Sequence, residues 1–369
     1  MNKMRDDLRE IRIKILAFTA ALVCLGVVMI YSSSAVYAYE IYHDNFYFLK
    51  RHLASLALGL VLAVYFMNVD LHALRRYSRP LILFSFLLLV LVLVPGIGSS
   101  ISGARRWFRV GGINFQPVEL VKPILLLYIA DFLDRKSVKG YSFLGVFVPT
   151  MLVIGTLCGL VLLQPDLGSS FELGALGILL LFAYGADIRH LLFIFAATVP
   201  VFYHLVLSVP YRAARILAFI DPWKDPRGTG FQIIQSFVAL GCGGIFGVGL
   251  GNAKQKLFYL PESHTDFIFS IIGEELGLLG TSVVVILFAV LVWQGVTLAF
   301  RKDSEFSRLL ALGISATIGL EAAINIGVST GVLPTKGLPL PFMSYGGSSL
   351  VMHLILVSML LNLGRENVR

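Results

Sequence analysis

The chain has 369 residues, of which 57% are hydrophobic and only 14% are charged, and its net charge is +8. An ordinary soluble domain carries about 25% charged residues, and one soluble core of this length cannot bury so much apolar surface. The composition therefore excludes a soluble globular enzyme. The three cysteines are too few for a disulfide framework. The basic residues are scattered along the chain, which argues against nucleic-acid binding.

Apolar blocks near the length of a membrane-spanning helix follow one another along the sequence. They predict an all-α polytopic membrane protein with about ten transmembrane helices. The predicted spans have their cores at residues 15–38, 46–67, 80–97, 117–133, 143–163, 169–184, 191–207, 267–299, 307–328 and 348–363. The eighth block is too long for one crossing, so its first third is predicted to be interfacial or re-entrant.

The positions of the basic residues predict the orientation of the chain. More than half of the 30 Lys and Arg residues lie in the tails and short loops of one side, so both termini are predicted to be cytoplasmic. We expect a single integral-membrane domain over 1–369, with a cytoplasmic tail at 1–14 and a large extracytoplasmic loop at 208–265. A connection this long is usually functional, and the chemistry is therefore expected at the outer face.

The fourth span begins Gln116-Pro117-Val118-Glu119-Leu120-Val121-Lys122 and carries two charges inside a predicted helix. Glu119 and Lys122 are three residues apart, hence on one helix face, and can pair. Intramembrane ionisable residues normally face a bundle interior or a watery cavity. Two interpretations of Glu119 and Lys122 remain open. They form a structural ion pair that holds helices together, or they line a substrate groove.

Two outer segments carry Pro and Gly together with polar residues. Gln164-Pro165-Asp166-Leu167-Gly168 is typical of a tight turn, and this favours a structural role over a binding role. The segment 333–349 predicts a rigid loop in which Lys336 either meets an anionic group or is simply solvated. The Gly-rich segment 241–251 lacks the ending of a phosphate-binding loop, so it predicts a flexible or re-entrant loop.

The segment 259–269 clusters an acid, a histidine and a second carboxylate where the long loop returns to the membrane. Asp266 precedes three apolar residues, and partial desolvation would raise its pKa, as a general base requires. The alternative is a helix cap, in which Thr265 or Asp266 satisfies free backbone amides.

Five motifs in this order resemble the SEDS family, the shape, elongation, division and sporulation polymerases of bacterial cell walls. The motifs are GARRWFRVGGINFQPVELVK, QPDLG, PYRAARILAFIDPWKDPRGTGFQIIQS, YLPESHTDFIFSIIGEELG and LPTKGLPLPFMSYGGSS. The resemblance implies a ten-helix fold and a peptidoglycan glycosyltransferase that acts on lipid II, the undecaprenyl-diphosphate-linked disaccharide-pentapeptide. The division members are the most similar, and elongation and sporulation paralogues remain alternatives.

The resemblance also implies roles for particular residues. The presumed catalytic carboxylate falls on Asp266, the fourth-span acid and base on Glu119 and Lys122, and the loop arginine on Arg215. Relatives often carry an acid where this chain has Phe258, which leaves Asp266 more isolated. The other candidates for contact with the head group, diphosphate or groove are Arg106, Gln116, His264, Lys336 and Ser344. The candidates for a structural or turn role are Gln164, Pro165, Asp166, Gly346 and Gly347.

The implied reaction is a single displacement, because an α-linked diphosphate gives a β1,4 link with inversion. It needs one base near the acceptor hydroxyl and positive charge near the leaving diphosphate. No cofactor is predicted with certainty, and a divalent cation, Mg or Mn, could assist the leaving group.

The expected partners are lipid II, a class B penicillin-binding protein, other division proteins and the lipid bilayer, with no nucleic acid. The expected location is the bacterial cytoplasmic (inner) membrane at the division septum. The alternatives are a lipid II flippase and a scaffold that only recruits the penicillin-binding protein.

Overall fold

The computed structural model describes residues 2–101, 103–110, 113–137, 140–207 and 209–365. Helices dominate these residues, and one small sheet accompanies them. The helices are α1 (Asn2–Tyr42), α2 (Tyr47–Asn68), α3 (Leu71–Arg75), α4 (Ser78–Leu91), α5 (Pro117–Ser137), α6 (Val148–Leu163), α7 (Leu167–Tyr184), α8 (Ile188–Leu207), α9 (Pro210–Ile220), α10 (Phe231–Gly243), α11 (Ile268–Phe300), α12 (Glu305–Ser329) and α13 (Gly347–Leu363). A π-helical turn, Phe143–Phe147, leads into α6, and a 3₁₀ turn, Pro222–Lys224, follows α9.

Six of the helices among the described residues are long and apolar enough to cross a membrane, namely α1, α2, α6 with its π-helical turn, α7, α11 and α12. α4, α8 and α13 match three more predicted spans with shorter apolar stretches, and α5 matches the predicted fourth span. The prediction of a helical polytopic membrane protein is confirmed. The count of ten crossings stays a prediction.

Small residues allow the helices of the bundle to approach closely, as is common where helices pack in membranes. α12 is buried along most of its length, and a Cβ added at Gly313 would lie 2.8 Å from the side chain of Leu126 on α5. α13 packs on α2, where a Cβ at Gly347 would lie 2.8 Å from Ser55 Oγ. α5, α7, α12 and α13 thereby enclose the centre of the bundle.

The third loop is a small antiparallel sheet, which corrects the all-α prediction in this one place. Its strands are β1 (Ser99–Ile101), β2 (Ala104–Val110) and β3 (Ile113–Phe115), in the order β1-β2-β3. Arg109 pairs with Asn114 across β2 and β3. The aromatic and β-branched residues of β2 favour a strand, and the sheet holds the basic residues of this loop on an ordered support.

The predicted loop 208–265 contains helical structure, since α9, the 3₁₀ turn and α10 lie within it. The segment after α10 docks on α11, where Val248 and Gly249 donate backbone hydrogen bonds to the carbonyls of Glu274 and Glu275. α11 itself is interrupted at Gly277, which has φ 67° and ψ −164°. The first part of the eighth block is therefore a separate helical piece, and its interfacial or re-entrant placement stays a prediction.

Candidate active site

Asp266 lies at the end of the turn that leads into α11. The turn closes through the amides of Thr265 and Phe267, which both donate to the carbonyl of Glu262 at 3.2 Å. Phe267 is the N-cap of α11, and no side chain caps this helix. The alternative that Thr265 or Asp266 serves as a helix cap is therefore wrong, and the amides of α11 do not engage the Asp266 carboxylate.

A second loop, between α12 and α13, meets the Asp266 carboxylate. A Cβ added at Gly337 would lie 2.7 Å from Asp266 Oδ2, so only glycine fits against the carboxylate in this arrangement. The buried side chain of Asn325 on α12 fixes both loops, because its amide donates to the carbonyls of Asp266 at 2.9 Å and Leu338 at 2.8 Å. The carboxylate is thus held between two loops of distant sequence.

Two further hydrogen bonds join the same loops. Ser344 Oγ donates to the carbonyl of Thr265 at 2.6 Å and accepts from the amide of Leu340 at 2.8 Å. The amide of Tyr345 donates to the carbonyl of His264 at 2.9 Å. The hydroxyl of Ser344 is buried and joins the two loops through these bonds, whereas the predicted contact of Ser344 with substrate stays a prediction.

Burial raises the pKa of Asp266 to about 7, and the nearby carboxylate of Glu262 adds to this increase. The positive charge of Arg215 acts in the opposite direction and lowers the pKa. Arg215 is an exposed residue of α9, so the structure brings α9 into electrostatic reach of Asp266. A carboxyl group with a pKa near neutral is suited to accept a proton from a hydroxyl group.

His264 lies in an aromatic enclosure next to this carboxylate. Its ring centroid is 4.6 Å from that of Phe48, 5.5 Å from Tyr37 and 5.8 Å from Tyr345. Burial lowers the pKa of His264, and Glu262 opposes this only in part. His264 is therefore neutral at pH 7, and its visible contacts pack the loop against α1 and α2.

Lys336, which precedes Gly337, lies against the turn between α6 and α7. Its ammonium is 4.6 Å from the ring centroid of Phe171, and a Cβ at Gly168 would lie 2.9 Å from its Cε. Burial lowers the pKa of Lys336 to about 8, although Asp166 and Glu172 favour its charged form. A cation is therefore positioned one residue from the glycine that contacts Asp266.

Arg106 on β2 reaches the same turn. Its guanidinium donates to the carbonyls of Gln164, at 3.0 Å, and of Pro165, and it lies 3.6 Å from the Asp166 carboxylate. Asp166 in turn caps α7 by accepting from the amide of Ser169 at 3.1 Å. Asp166 therefore has a structural role at the start of α7, and two cations, Arg106 and Lys336, border the turn that it belongs to.

Lys122 lies apart from this outer region, in a buried cluster of charges at the centre of the bundle. Its ammonium is 3.0 Å from Glu119, 3.5 Å from Glu172 and 2.6 Å from Glu321. His353 on α13 contacts Glu321 at 3.0 Å. These five side chains come from four helices, and each is at most 3% exposed.

This enclosure corrects two predictions for the fourth span. Lys122 is surrounded by three carboxylates, and the described residues bury both Lys122 and Glu119, so neither side chain reaches a diphosphate or a groove in this arrangement. The structure agrees with the interpretation as a structural ion pair between Glu119 and Lys122, to which two further acids, Glu172 and Glu321, are added. Sequence reasoning missed Glu172, although an acidic residue within a predicted span was the signal that could have found it.

Gln116, Gly346 and Gly347 lie where β3, α5 and α13 meet. The backbone amide of Gln116 donates to Ser348 Oγ at 3.2 Å. Gly346 is the N-cap of α13 and Gly347 is the first residue of that helix. The two glycines thus lie at the start of α13, and the bond of Gln116 is made by its backbone amide and not by its side chain.

A second buried ion pair holds the chain that leads to Asp266. Lys256 Nζ is 2.7 Å from Glu275, and Ser32 Oγ on α1 lies 2.6 and 2.7 Å from the two oxygens of the same carboxylate, to which it donates its single proton. The adjacent Glu274 accepts from the amide of Lys254 at 2.8 Å. Sequence reasoning missed this network, whose signal was a pair of adjacent acids within the eighth apolar block.

The structure is that of a multi-pass membrane protein. At one end of its helix bundle lie the Asp266 carboxyl group, whose pKa is near 7, and the cations Arg106, Lys336 and Arg215. The family model of FtsW, RodA and SpoVE, described as cell cycle proteins, matches residues 13–369. The chain belongs to this family.

Individual members of the family are similar in sequence to this chain over nearly its whole length. A Geobacter metallireducens protein named "Probable peptidoglycan glycosyltransferase FtsW" is 49% identical, over 96% of each chain. "Stage V sporulation protein E" of Bacillus subtilis is 43% identical over 94% of this chain and 95% of its own. A solved structure, "Structural coordination of polymerization and crosslinking by a peptidoglycan synthase complex", superposes with a TM-score of 0.79, at 34% identity over 95% of this chain and 96% of the other.

Proposed function

We propose that this protein is a peptidoglycan glycosyltransferase that polymerises lipid II into β1,4 glycan strands at the outer face of the bacterial cytoplasmic membrane. The observation that carries the proposal is the Asp266 carboxyl group, whose pKa is raised to about 7 beside the Gly337 loop. The relative named "Probable peptidoglycan glycosyltransferase FtsW" supports this reaction class.

In the proposed reaction, Asp266 accepts the proton of the acceptor sugar 4-hydroxyl. The hydroxyl oxygen attacks the anomeric carbon of the donor and forms the glycosidic bond, while the bond from that carbon to the diphosphate oxygen breaks. The carbon is inverted once, and the lipid diphosphate leaves with the bonding electrons. No covalent enzyme intermediate is required, because the product linkage is opposite to the donor linkage.

Arg215, Lys336 and Arg106 are the proposed partners of the leaving diphosphate. Arg215 is exposed and within electrostatic reach of Asp266, and a guanidinium suits paired contacts with phosphate oxygens. Lys336 and Arg106 border the turn at Asp166. The described residues contain no group of three or more His, Cys, Asp or Glu side chains arranged for a metal ion. Assistance of the leaving group by a divalent cation, Mg or Mn, stays a prediction.

We further propose that the protein works in division, at the septum, with a class B penicillin-binding protein and other division proteins. The similarity to the FtsW relative supports the division role, and the description of the solved complex, which couples polymerization and crosslinking, supports a crosslinking partner. The similarity to the sporulation protein keeps a role in sporulation as the alternative.

The proposal is tested by adding lipid II to the purified protein with its penicillin-binding partner and separating the glycan products by size. Asp266→Asn is expected to lower polymerisation by about 10²–10⁴-fold, the range for loss of a general base. Asp44→Asn is the matched control, because Asp44 lies in the turn between α1 and α2, where it accepts from the amide of Phe46 and forms a surface ion pair with Lys50.

Full polymerisation by Asp266→Asn would overturn the assignment of the base. Transport of labelled lipid II by vesicles that contain the protein, unaffected by Asp266→Asn and without glycan products, would favour a flippase. Normal division in cells that carry Asp266→Asn, with loss only when the partner interface is changed, would favour a scaffold.

A further inference from the structure

An open polar cleft lies at the end of the bundle opposite to Asp266. Its volume is about 340 Å³, and it is lined by His72, Arg75, Arg76, Asp131 and Arg135. α3 and the turn after it supply one wall and the last two turns of α5 supply the other. This end carries the tails and basic loops that the sequence predicts to be cytoplasmic.

Two of the cleft arginines are fixed in place by acids of α5. Arg75 donates from Nε to Asp131 at 2.7 Å and lies 2.6 Å from Asp134 through a terminal nitrogen. Arg135 lies 2.7 Å from the second oxygen of Asp131. The guanidinium of Arg75 also lies over the ring of the buried Phe306, 5.2 Å from its centroid. The cleft is therefore a pre-organised structure on a rigid base.

The cleft retains positive charge after this pairing. Arg75, Arg76 and Arg135 contribute three positive charges, whereas Asp131 and Asp134 contribute two negative charges. Arg76 is exposed and has no ion-pair partner among the described residues. The cleft consequently presents free guanidinium nitrogen donors to an anion, and guanidinium groups match phosphate geometry.

An apolar surface continues from the cleft along α4. Arg79, in the first turn of α4, is exposed and lies four residues before Leu83, which is 66% exposed. Leu87 and Val90 continue the same helix face at helical spacing and are also exposed. Such a stripe on a membrane-spanning helix contacts acyl chains. Its basic end directly follows Ser78, which donates to the cleft residue Asp131.

We propose that this cleft binds the phosphodiester head group of an anionic phospholipid, with its acyl chains along α4. Basic pockets at the cytoplasmic side of membrane helices suit anionic lipid head groups. The occupant is a lipid, not a soluble phosphate compound, because the basic cleft and the exposed apolar stripe are continuous.

The test uses the full-length protein in phosphatidylcholine nanodiscs that contain a minor fraction of phosphatidylglycerol, with native mass spectrometry of the retained lipids. The wild type is expected to retain phosphatidylglycerol in preference to phosphatidylcholine. The double variant Arg76→Gln with Arg135→Gln is expected to weaken this retention by roughly tenfold, as the loss of charge-assisted hydrogen bonds implies. Arg75 and Asp131 stay unchanged, so the acid keeps Arg75 and Ser78 as partners.

Arg9→Gln with Arg189→Gln is the matched control, because both arginines are exposed, lie outside the cleft on the side predicted to be cytoplasmic, and together lose the same two charges. Thermal unfolding in phosphatidylcholine alone checks that all variants are folded. Equal retention of both lipids by the wild type, or equal retention of phosphatidylglycerol by wild type and folded double variant, would overturn the proposal. Displacement of the lipid by glycerol phosphate at equal concentration would overturn the choice of a lipid as occupant.

Discussion

At the scale of single residues, Asp266 and Lys336 titrate close to neutral pH, and both pKa values follow from burial. Burial raises the pKa of Asp266 to about 7 and lowers that of Lys336 to about 8. A base must be deprotonated and a phosphate-binding cation must be protonated. We therefore expect kcat/KM for polymerisation to rise as the pH passes 7 and to fall again above 8.

The variant Lys336→Arg separates the two limbs of this profile. A guanidinium stays charged throughout this range, so the fall above pH 8 should disappear while the rise near pH 7 is retained. Initial rates on lipid II across pH 6 to about 10 measure both limbs. If the wild-type rate does not change between pH 6 and 8, Asp266 is not the titrating base.

The two residues also show how far sequence reasoning extends at this scale. The site around Asp266 was predictable, because a carboxylate followed by three apolar residues must be partly desolvated where a chain enters a membrane. The surroundings of Lys122 were not predictable, because Glu172, Glu321 and His353 come from three other helices. Only the packing of those helices brings the four side chains together.

At the scale of helices, the Lys122 cluster ties α5 to α7, α12 and α13, and it contains more acids than bases. Replacing Lys122 by Met leaves three buried carboxylates without their cation, and breaking a buried pair in this way costs about 3–5 kcal/mol. Glu172→Gln removes one negative charge from the excess, so we expect it to leave stability nearly unchanged or to raise it.

Thermal unfolding of both variants in one detergent checks this prediction for the cluster. The expected result is a large decrease in Tm for Lys122→Met and little change for Glu172→Gln. Equal, large decreases for both would show that Glu172 must be ionised, and the excess of acids would then have to be compensated in another way.

The interruption of α11 gives a second prediction for an element. Gly277 has a positive φ, and a Cβ there would overlap Gly247 N and the carbonyl of Ile245. Gly277→Ala should therefore displace the segment that docks on α11, at a cost of about 1–3 kcal/mol. The matched control is Gly241→Ala in α10, where a Cβ has open space and the backbone is ordinary.

Unfolding and polymerisation are measured for both glycine variants. We expect losses of stability and of activity for Gly277→Ala alone, because the displaced segment is continuous with the chain that carries Asp266. Gly241→Ala should behave as the wild type, since alanine favours a helix. A Gly277→Ala variant with normal stability would show that α11 can continue without this interruption.

Element prediction succeeded where length and apolar content decide the structure and failed where tertiary contacts decide it. The predicted spans each coincide with a helix, and the long eighth block forms a helix that is interrupted at Gly277. The sheet β1–β3 and the helices α9 and α10 were missed, because short polar or glycine-containing segments lack a clear hydrophobic period. Their structure depends on partners such as the turn at Asp166, which Arg106 contacts.

At the scale of the whole molecule, the bundle separates two polar regions. The loops around Asp266 and the turn at Asp166 lie at one end, whereas Arg75 and the ion pair between Arg301 and Asp7 lie at the other. Between them, the described helices expose large apolar residues, such as Phe193 and Trp293, as lipid contact requires. The proposed reaction needs the Asp266 end to face outward, because the glycan grows outside the membrane.

This orientation makes a prediction that single cysteines can check. In a version without Cys24, Cys158 and Cys242, we place one cysteine at a time at Asp44, Asp187 or Asp225. The odd number of predicted crossings before Asp44 and Asp225 puts both outside, whereas six predicted crossings put Asp187 inside. A membrane-impermeant maleimide added to intact cells should label Asp44→Cys and Asp225→Cys, and it should label Asp187→Cys only after the membrane is opened. Labelling of Asp187→Cys in intact cells, or protection of Asp225→Cys, would mean that the number of crossings is wrong. Protection of Asp225→Cys would also place the Asp266 loop on the inner side of the membrane, where no glycan acceptor is found.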